Sequence, residues 1–286
     1  MLATCSKINI NFETDWQTYS SDNVSLLCVV DGLVMWGVTQ LRDIVYIVCD
    51  ESSAIIRFDA VTHERLPDII VKDMSEPYDI AACQRTSVVY VADYSACVWR
   101  VSSFDEHIKR WLPKSPSDTI RPYALSVTSS RLLVTSLTTK QLRQFDAVGD
   151  ELNRVDLPDD MAPRHAVESL TGTFIVSHRD KELKHSQVSE VNTGGQVLRQ
   201  FSGSRLLPLG WNQNVAVDSQ GNIFVADRNN GHILLLNSEL ALHRVIIDGH
   251  QLNHKKPRCL CYVEQSGQLL VGIYGEDVAV FDVLRR

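Results

Sequence analysis

Hydrophobic and polar positions alternate along this chain in short runs, and a helical period of three to four is nearly absent. Alternation of that kind, with β-branched and aromatic residues at many apolar positions, predicts short strands. The runs recur. VYIVCD ends at Asp50, VVYVAD at Asp93, RLLVTS at Ser136, TFIVSH at His178, NIFVAD at Asp227 and LLVGIY at Tyr274, with spacings of 43, 43, 42, 49 and 47 residues. Another strand precedes each. Proline opens it at Pro77, Pro122, Pro163 and Pro257; Trp36-Gly-Val-Thr and Asn212-Gln-Asn-Val-Ala fill the slot in the other two copies. A third strand follows each (AIIRFDA, CVWRVSS, QLRQFDA, QVSEVNT, HILLLNS, DVAVFDV), and a fourth follows in five copies (DIIVKD, HIKRWL, LNRVDL, VLRQFS, HRVIID).

Self-similarity at a period of about 45 residues marks a repeat architecture. Four short antiparallel strands per unit make one blade, so the expected fold is all-β: a six-bladed β-propeller of four-stranded blades. The sixth copy has only three strands before Arg286, while an orphan strand over 25–30 precedes the first copy. That orphan is expected to complete the last blade, closing the ring and pairing an edge otherwise left open. Residues 1–23 are then a leading segment and 24–286 a single propeller domain. Two separate three-copy sandwiches would need a linker, and the even spacing leaves none.

Composition narrows the function. Hydrophobics at 44% and charged residues at 22% exclude wholesale disorder. A net charge of −7 gives no global basic field, so an anionic partner needs a local patch. Asp31 interrupts the longest apolar stretch, Leu26 to Val38, well short of a helical membrane span. The first eleven residues carry one lysine and no apolar core, so no secretory signal is expected. The seven cysteines sit mostly inside strand-like runs, as at Cys28, Cys49, Cys83 and Cys97, which reads as buried free thiols in a cytoplasmic protein. Cys259 and Cys261, two apart on one strand, read as packed thiols in the same way.

The fifth copy, Val215 to Leu236, runs as a small-residue strand, an Asp-x-x-Gly-Asn turn, a Val-Ala-Asp strand end and a polar turn with His before the next strand. It closely resembles the NHL repeat. The second copy keeps Tyr90-Val-Ala-Asp93, in a fair match over 88–93, and the others lack the Gly-Asn turn. The resemblance implies a six-bladed NHL-type propeller. Such domains include protein- and RNA-binding modules, a peptide-amidating lyase and, more distantly, lactonases and strictosidine synthases, and the fold alone does not choose among them.

In each blade the chain runs down the innermost strand and up the second, so the start of one and the end of the other share a rim. First-strand opening positions are Trp36, Tyr78, Tyr123, Arg164, Gln213 and Arg258. Aromatics and arginines there suit stacking and charge-assisted contacts. Second-strand ends add His178, Arg179 and Arg228, a local basic crescent opposite the acidic first two blades. This set favours a non-enzymatic scaffold binding a protein partner, with RNA as the second choice and no membrane role. One residue further in stand Asp79, His165 and Asn214. The alternative reading makes them acid–base groups, or ligands for Ca or Zn, in a hydrolase, lyase or condensing enzyme acting on a small molecule. Neither a catalytic group nor a cofactor is assigned on the main reading. Lys181 to His185 reads as a solvated turn, and the His250/His254 pair lacks the acid and helix that a metal site would need.

Overall fold

A computed structural model describes residues 19–20, 24–29, 34–95, 97–113, 120–180, 186–203, 209–274 and 277–285, with backbone alone at 19–20, 24–29, 212–213, 277 and 284–285. The Lys181–His185 segment lies outside the described residues, as do 1–18 of the leading segment.

Six four-stranded antiparallel sheets follow one another along the chain. Blade one is Met35–Leu41, Ile44–Cys49, Ala54–Asp59 and Arg65–Ile70; blade two is Pro77–Cys83, Val88–Asp93, Cys97–Ser102 and Ile108–Leu112. Blade three is Ala124–Thr128, Arg131–Ser136, Gln141–Phe145 and Glu151–Asp156; blade four is Met161–Glu168, Phe174–Asp180, Ser186–Val191 and Val197–Phe201. Blade five is Asn212–Val217, Ile223–Asp227, His232–Leu236 and Leu242–Ile247. Blade six holds Pro257–Val263, Gln268–Ile273 and Asp277–Asp282, and its fourth, outermost strand is Val24–Val29 from the other end of the chain. The innermost strands touch in the cyclic order of the blades, the sixth against the first.

The strand expected over 25–30 is therefore found one residue earlier. It is antiparallel to the last long strand, with Val24 opposite Phe281 and Val29 opposite Asp277. Two residues of the leading segment are also paired, Tyr19–Ser20 with Leu284–Arg285. Among the described residues no helix is long and apolar enough to cross a membrane.

Apolar packing explains the ring. Each blade is buried on both faces, so the second strands read as continuous hydrophobic runs rather than strict alternations. Val88–Asp93 is buried at every position. The buried residues fall into six clusters, one at each seam between neighbouring blades. The closing seam joins Met35, Val38 and Ile47 of blade one to Cys259, Leu270 and Val280 of blade six. Cys49, Cys83, Cys97 and Cys259 are buried free thiols, as the sequence predicts; Cys261 is half-buried, and the Cys28 side chain lies outside the described groups.

Turn chemistry sets the blade edges. In blade five, Asp218 Oδ1 accepts the amide N–H groups of Gln220 and Asn222, both at 2.9 Å, and Gly221 takes φ +82°, open to glycine at no steric cost. The Val-Ala-Asp aspartates do a different job. Asp93 is fully buried and accepts from the amides of Ser75, Glu76 and Ser95, the Ser95 hydroxyl and the Trp99 indole. It thereby pins the loop that leads into its own blade. Asp227 does the same in blade five, through the Gly210 and Asn230 amides and the Asn230 side chain.

Candidate functional site

Five of the six innermost strands lose register at their start: between Met35 and Gly37, Pro77 and Asp79, Pro163 and His165, Asn212 and Val215, and Pro257 and Cys259. One extra residue is accommodated at Trp36, Tyr78, Arg164 and Arg258. A bulge takes that side chain out of strict alternation and re-aims it. Consecutive residues can then reach one opening. Tyr78 with Asp79 and Arg164 with His165 line one small depression at the channel mouth, together with Trp36, Asn214, Arg258 and the Tyr123–Ala124 pair, whose own strand keeps its register.

The rim is a closed belt of rings and guanidinium groups. Trp36 stacks on Tyr78 with centroids 4.2 Å apart; Tyr78 meets Tyr94 at 4.9 Å and Tyr123 at 5.3 Å. The Arg164 guanidinium lies 5.6 Å from the Tyr123 ring, and its Nη1 donates to the Tyr123 hydroxyl oxygen at 3.1 Å. Arg164 and Arg228 each lie 5.6 Å from the Trp211 ring. Arg228 then reaches Tyr274 at 4.7 Å, Arg258 reaches the same ring at 5.7 Å, and Arg258 covers Trp36 at 3.3 Å, which closes the circle. Cation–π contacts hold these guanidinium groups in place while leaving their N–H groups free to bond elsewhere.

Apart from the Arg164 bond to Tyr123, the described residues offer these N–H groups no hydrogen-bond partner. Among the described residues, no carboxylate lies within ion-pairing distance of Arg164, Arg228 or Arg258. The Nε atoms of all three are buried without a hydrogen bond. Arg258 is only 7% exposed, and burial draws its pKa down, with Arg228 nearby adding to the effect.

Beneath the rim, Asp79 and His165 are both 5% exposed, and their partners are backbone. Innermost strands of a propeller present an unpaired edge to the channel, and these side chains satisfy part of it. Asp79 of blade two accepts the Leu125 amide of blade three at 2.8 Å and the Ile80 amide at 2.8 Å. His165 Nε2 of blade four lies 3.2 Å from the Leu125 carbonyl oxygen, to which it donates in the Nε2–H tautomer. Leu125 thus ties three blades together. Gly37 leaves room for this: a Cβ there would lie 2.9 Å from Asp79 Oδ1.

Burial raises the Asp79 carboxyl to about 7 and lowers His165 to about 4. Their 3.7 Å contact is therefore one between neutral groups in mildly acidic solution, not an ion pair. Each Asp79 oxygen accepts one amide, and among the described residues no group of three or more His, Cys, Asp or Glu side chains gathers here to hold a metal ion. The His165 Nδ1 and Asn214 Oδ1 atoms are buried without partners.

The other sequence-predicted positions divide. Arg179 and Arg228 reach the rim through Trp211, Arg179 at 5.8 Å. Gln213 lies in the innermost strand of blade five, but its side chain is outside the described groups. His178 does not belong to the crescent. It is 3% exposed, with Nε2 2.8 Å from the Ser189 hydroxyl, because its strand end packs within the blade. Three rim residues escape an inspection of the opening positions alone. Trp211 stands two residues ahead of Gln213, Tyr94 one residue past a second strand, and Arg121 two residues ahead of Tyr123, with its guanidinium 6.0 Å from the Tyr94 ring.

Desolvation holds His178 near pKa 4, against an ordinary 6.5. A lowered histidine pKa gives stability that is full above about 6.5 and lost as pH falls towards 4. His178→Gln is expected to lose about 3 kcal/mol less than the wild type between pH 7.5 and pH 4, measured by urea unfolding. Asp79 acts in the opposite sense: its raised pKa relieves a burial cost as pH falls from 7, which partly offsets His165.

No family model matches the chain, and no curated protein matches it. Solved structures do. A catalytically inactive virginiamycin B lyase from Staphylococcus aureus, bound to quinupristin, superposes with TM-score 0.65 at 9% identity, over 92% of this chain and 99% of that one. A nidogen/laminin complex gives 0.61 at 12%, over 79% and 84%, and the WD40 β-propeller domain of Doa1 gives 0.60 at 12%, over 93% and 97%. At these identities the likeness is one of fold. The neighbours include an enzyme and a member of a protein complex, so the propeller is established and the NHL likeness rests on the repeats quoted above.

Proposed function

We propose that the protein is a non-catalytic binding module whose top face holds a protein partner at the mouth of the channel. One observation carries this reading: the rim is a closed aromatic belt bearing three guanidinium groups with which no described carboxylate forms an ion pair. A protein seldom buries charged donors without partners, because the desolvation is expensive. Rigid rings with fixed arginines are also the residue types that anchor interfaces. The enzyme reading has less support, since both Asp79 oxygens and His165 Nε2 already serve backbone groups and only His165 Nδ1 is left without a partner. Its metal form is decided by elemental analysis of untagged protein: stoichiometric Ca or Zn that is lost in His165→Ala would establish it.

Arg164 and Arg228 are only half-buried, so charge reversal there acts mainly on the partner. Arg164→Glu combined with Arg228→Glu is expected to reduce partner recovery from native extract at least tenfold, with the unfolding midpoint little changed. Recovery equal to the wild type would remove this face from consideration.

A further inference from the structure

The nature of the group that the rim receives can be argued further, and this step rests on the top-face reading above. We propose that the channel mouth is a receptor for a single phosphomonoester dianion, carried by the protein partner. Three features of the rim point to it.

The first is charge count and convergence. Arg164 and Arg258 line the same depression, and Arg228 shares one ring with each of them, Trp211 with Arg164 and Tyr274 with Arg258. Asp79 lines the same depression and Asp50 acts on Arg258, yet three guanidinium groups still outnumber these acids and leave positive charge that a single carboxylate would not use up. A phosphomonoester near neutral pH carries close to two charges and three acceptor oxygens, which suits a ring of fixed forks.

The second is the state of the donors. The Nε atoms of Arg164, Arg228 and Arg258 are buried and unbonded, and the Arg258 side chain as a whole is nine-tenths buried. Tyr123 accepts from Arg164 through its hydroxyl oxygen, which leaves its own O–H proton available to donate. These are unspent donors at a half-covered opening, where charge-assisted bonds are stronger than in open water.

The third is extent, which separates a phosphomonoester from a nucleic-acid backbone. A polynucleotide is a row of diester monoanions and wants a basic track. Here the arginines gather at one opening, and the chain as a whole carries −7, which repels a long polyanion. A single anchored dianion meets little of that repulsion.

The test uses full-length protein and titration calorimetry at physiological salt. The probes are phenyl phosphate, its methyl ester (a diester monoanion) and benzoate. Phenyl phosphate is expected to bind one per chain, at least tenfold tighter than either of the others. Arg258→Gln is expected to weaken it at least tenfold; should that variant fold poorly, Arg228→Gln serves, and its unfolding midpoint is measured alongside. Phosphatase treatment of the native extract is expected to abolish partner recovery. Equal binding of benzoate would overturn the phosphate assignment in favour of a carboxylate, and equal or tighter binding of the diester would overturn it in favour of nucleic acid. Absence of phenyl phosphate binding, or partner recovery unaffected by phosphatase, would also overturn it. If those results came while the Arg164→Glu/Arg228→Glu protein still lost its partner, the top-face reading would survive. If that protein kept its partner, both would fall.

Discussion

Asp93→Ala is expected to lower stability by about 3–4 kcal/mol, which is large for one side chain. The carboxylate receives five hydrogen bonds, two of them from the Ser75 and Glu76 amides that open the loop into blade two. Alanine leaves these donors stranded in a buried site, the Trp99 indole N–H among them, and each carries its own desolvation penalty. Burial alone would raise this carboxyl, but the bonds from Trp99, Ser95 and Ser75 outweigh it and hold the pKa below the usual range. Its contribution is therefore present above the ordinary carboxylate pKa and lost as pH falls through the depressed value. Fewer donors reach Asp227 from the described residues, and burial leaves its pKa raised instead. Asp227→Ala should accordingly cost about half as much. Urea unfolding of both variants checks the order; an Asp93→Ala loss under about 1 kcal/mol would contradict it.

The second large effect concerns closure. Deleting residues 1–30 removes the Val24–Val29 strand and its five register pairs with Asp277–Asp282. At about 1 kcal/mol per backbone hydrogen bond, the loss should be on the order of 4–5 kcal/mol, with the unfolding midpoint falling about 10 °C or more. The bared edge is also a template for pairing with another chain, so the deleted protein should associate in a concentration-dependent way. A synthetic peptide of residues 19–30 should restore the midpoint. An unchanged midpoint after deletion would mean that the strand contributes nothing to the ring.

The blade count was legible because each seam repeats the same demand for apolar side chains, and that demand writes a period into the chain. Why most copies depart from the fifth is also physical. The turn made by Asp218 and Gly221 needs only an acceptor and a residue tolerant of positive φ, and blade four meets the need with Ser169 and Gly172. Different residues can therefore build one turn. The rim was partly legible: Trp36, Tyr78, Tyr123, Arg164 and Arg258 stand at equivalent positions and do meet. Simple alternation, however, sends neighbouring residues to opposite sides, so the shared opening of Tyr78 and Asp79 follows only from the bulges. Trp211 was hidden because it lies in a loop, where no strand period marks it. His178 misled because a histidine at a strand end looks like a rim residue, and only packing shows it buried.

The account depends on a closed ring that brings six opening positions around one mouth. Cysteines placed at Ser25 and Val280, which face each other across the closing pair, test this most directly. Under mild oxidation the account predicts a rapid disulfide within one chain, mapped by peptide mass spectrometry, in a protein whose oligomeric state does not change through the reaction and which unfolds at a higher temperature. Failure to form that bond, or its formation only between chains, would contradict the closed ring and the shared rim with it.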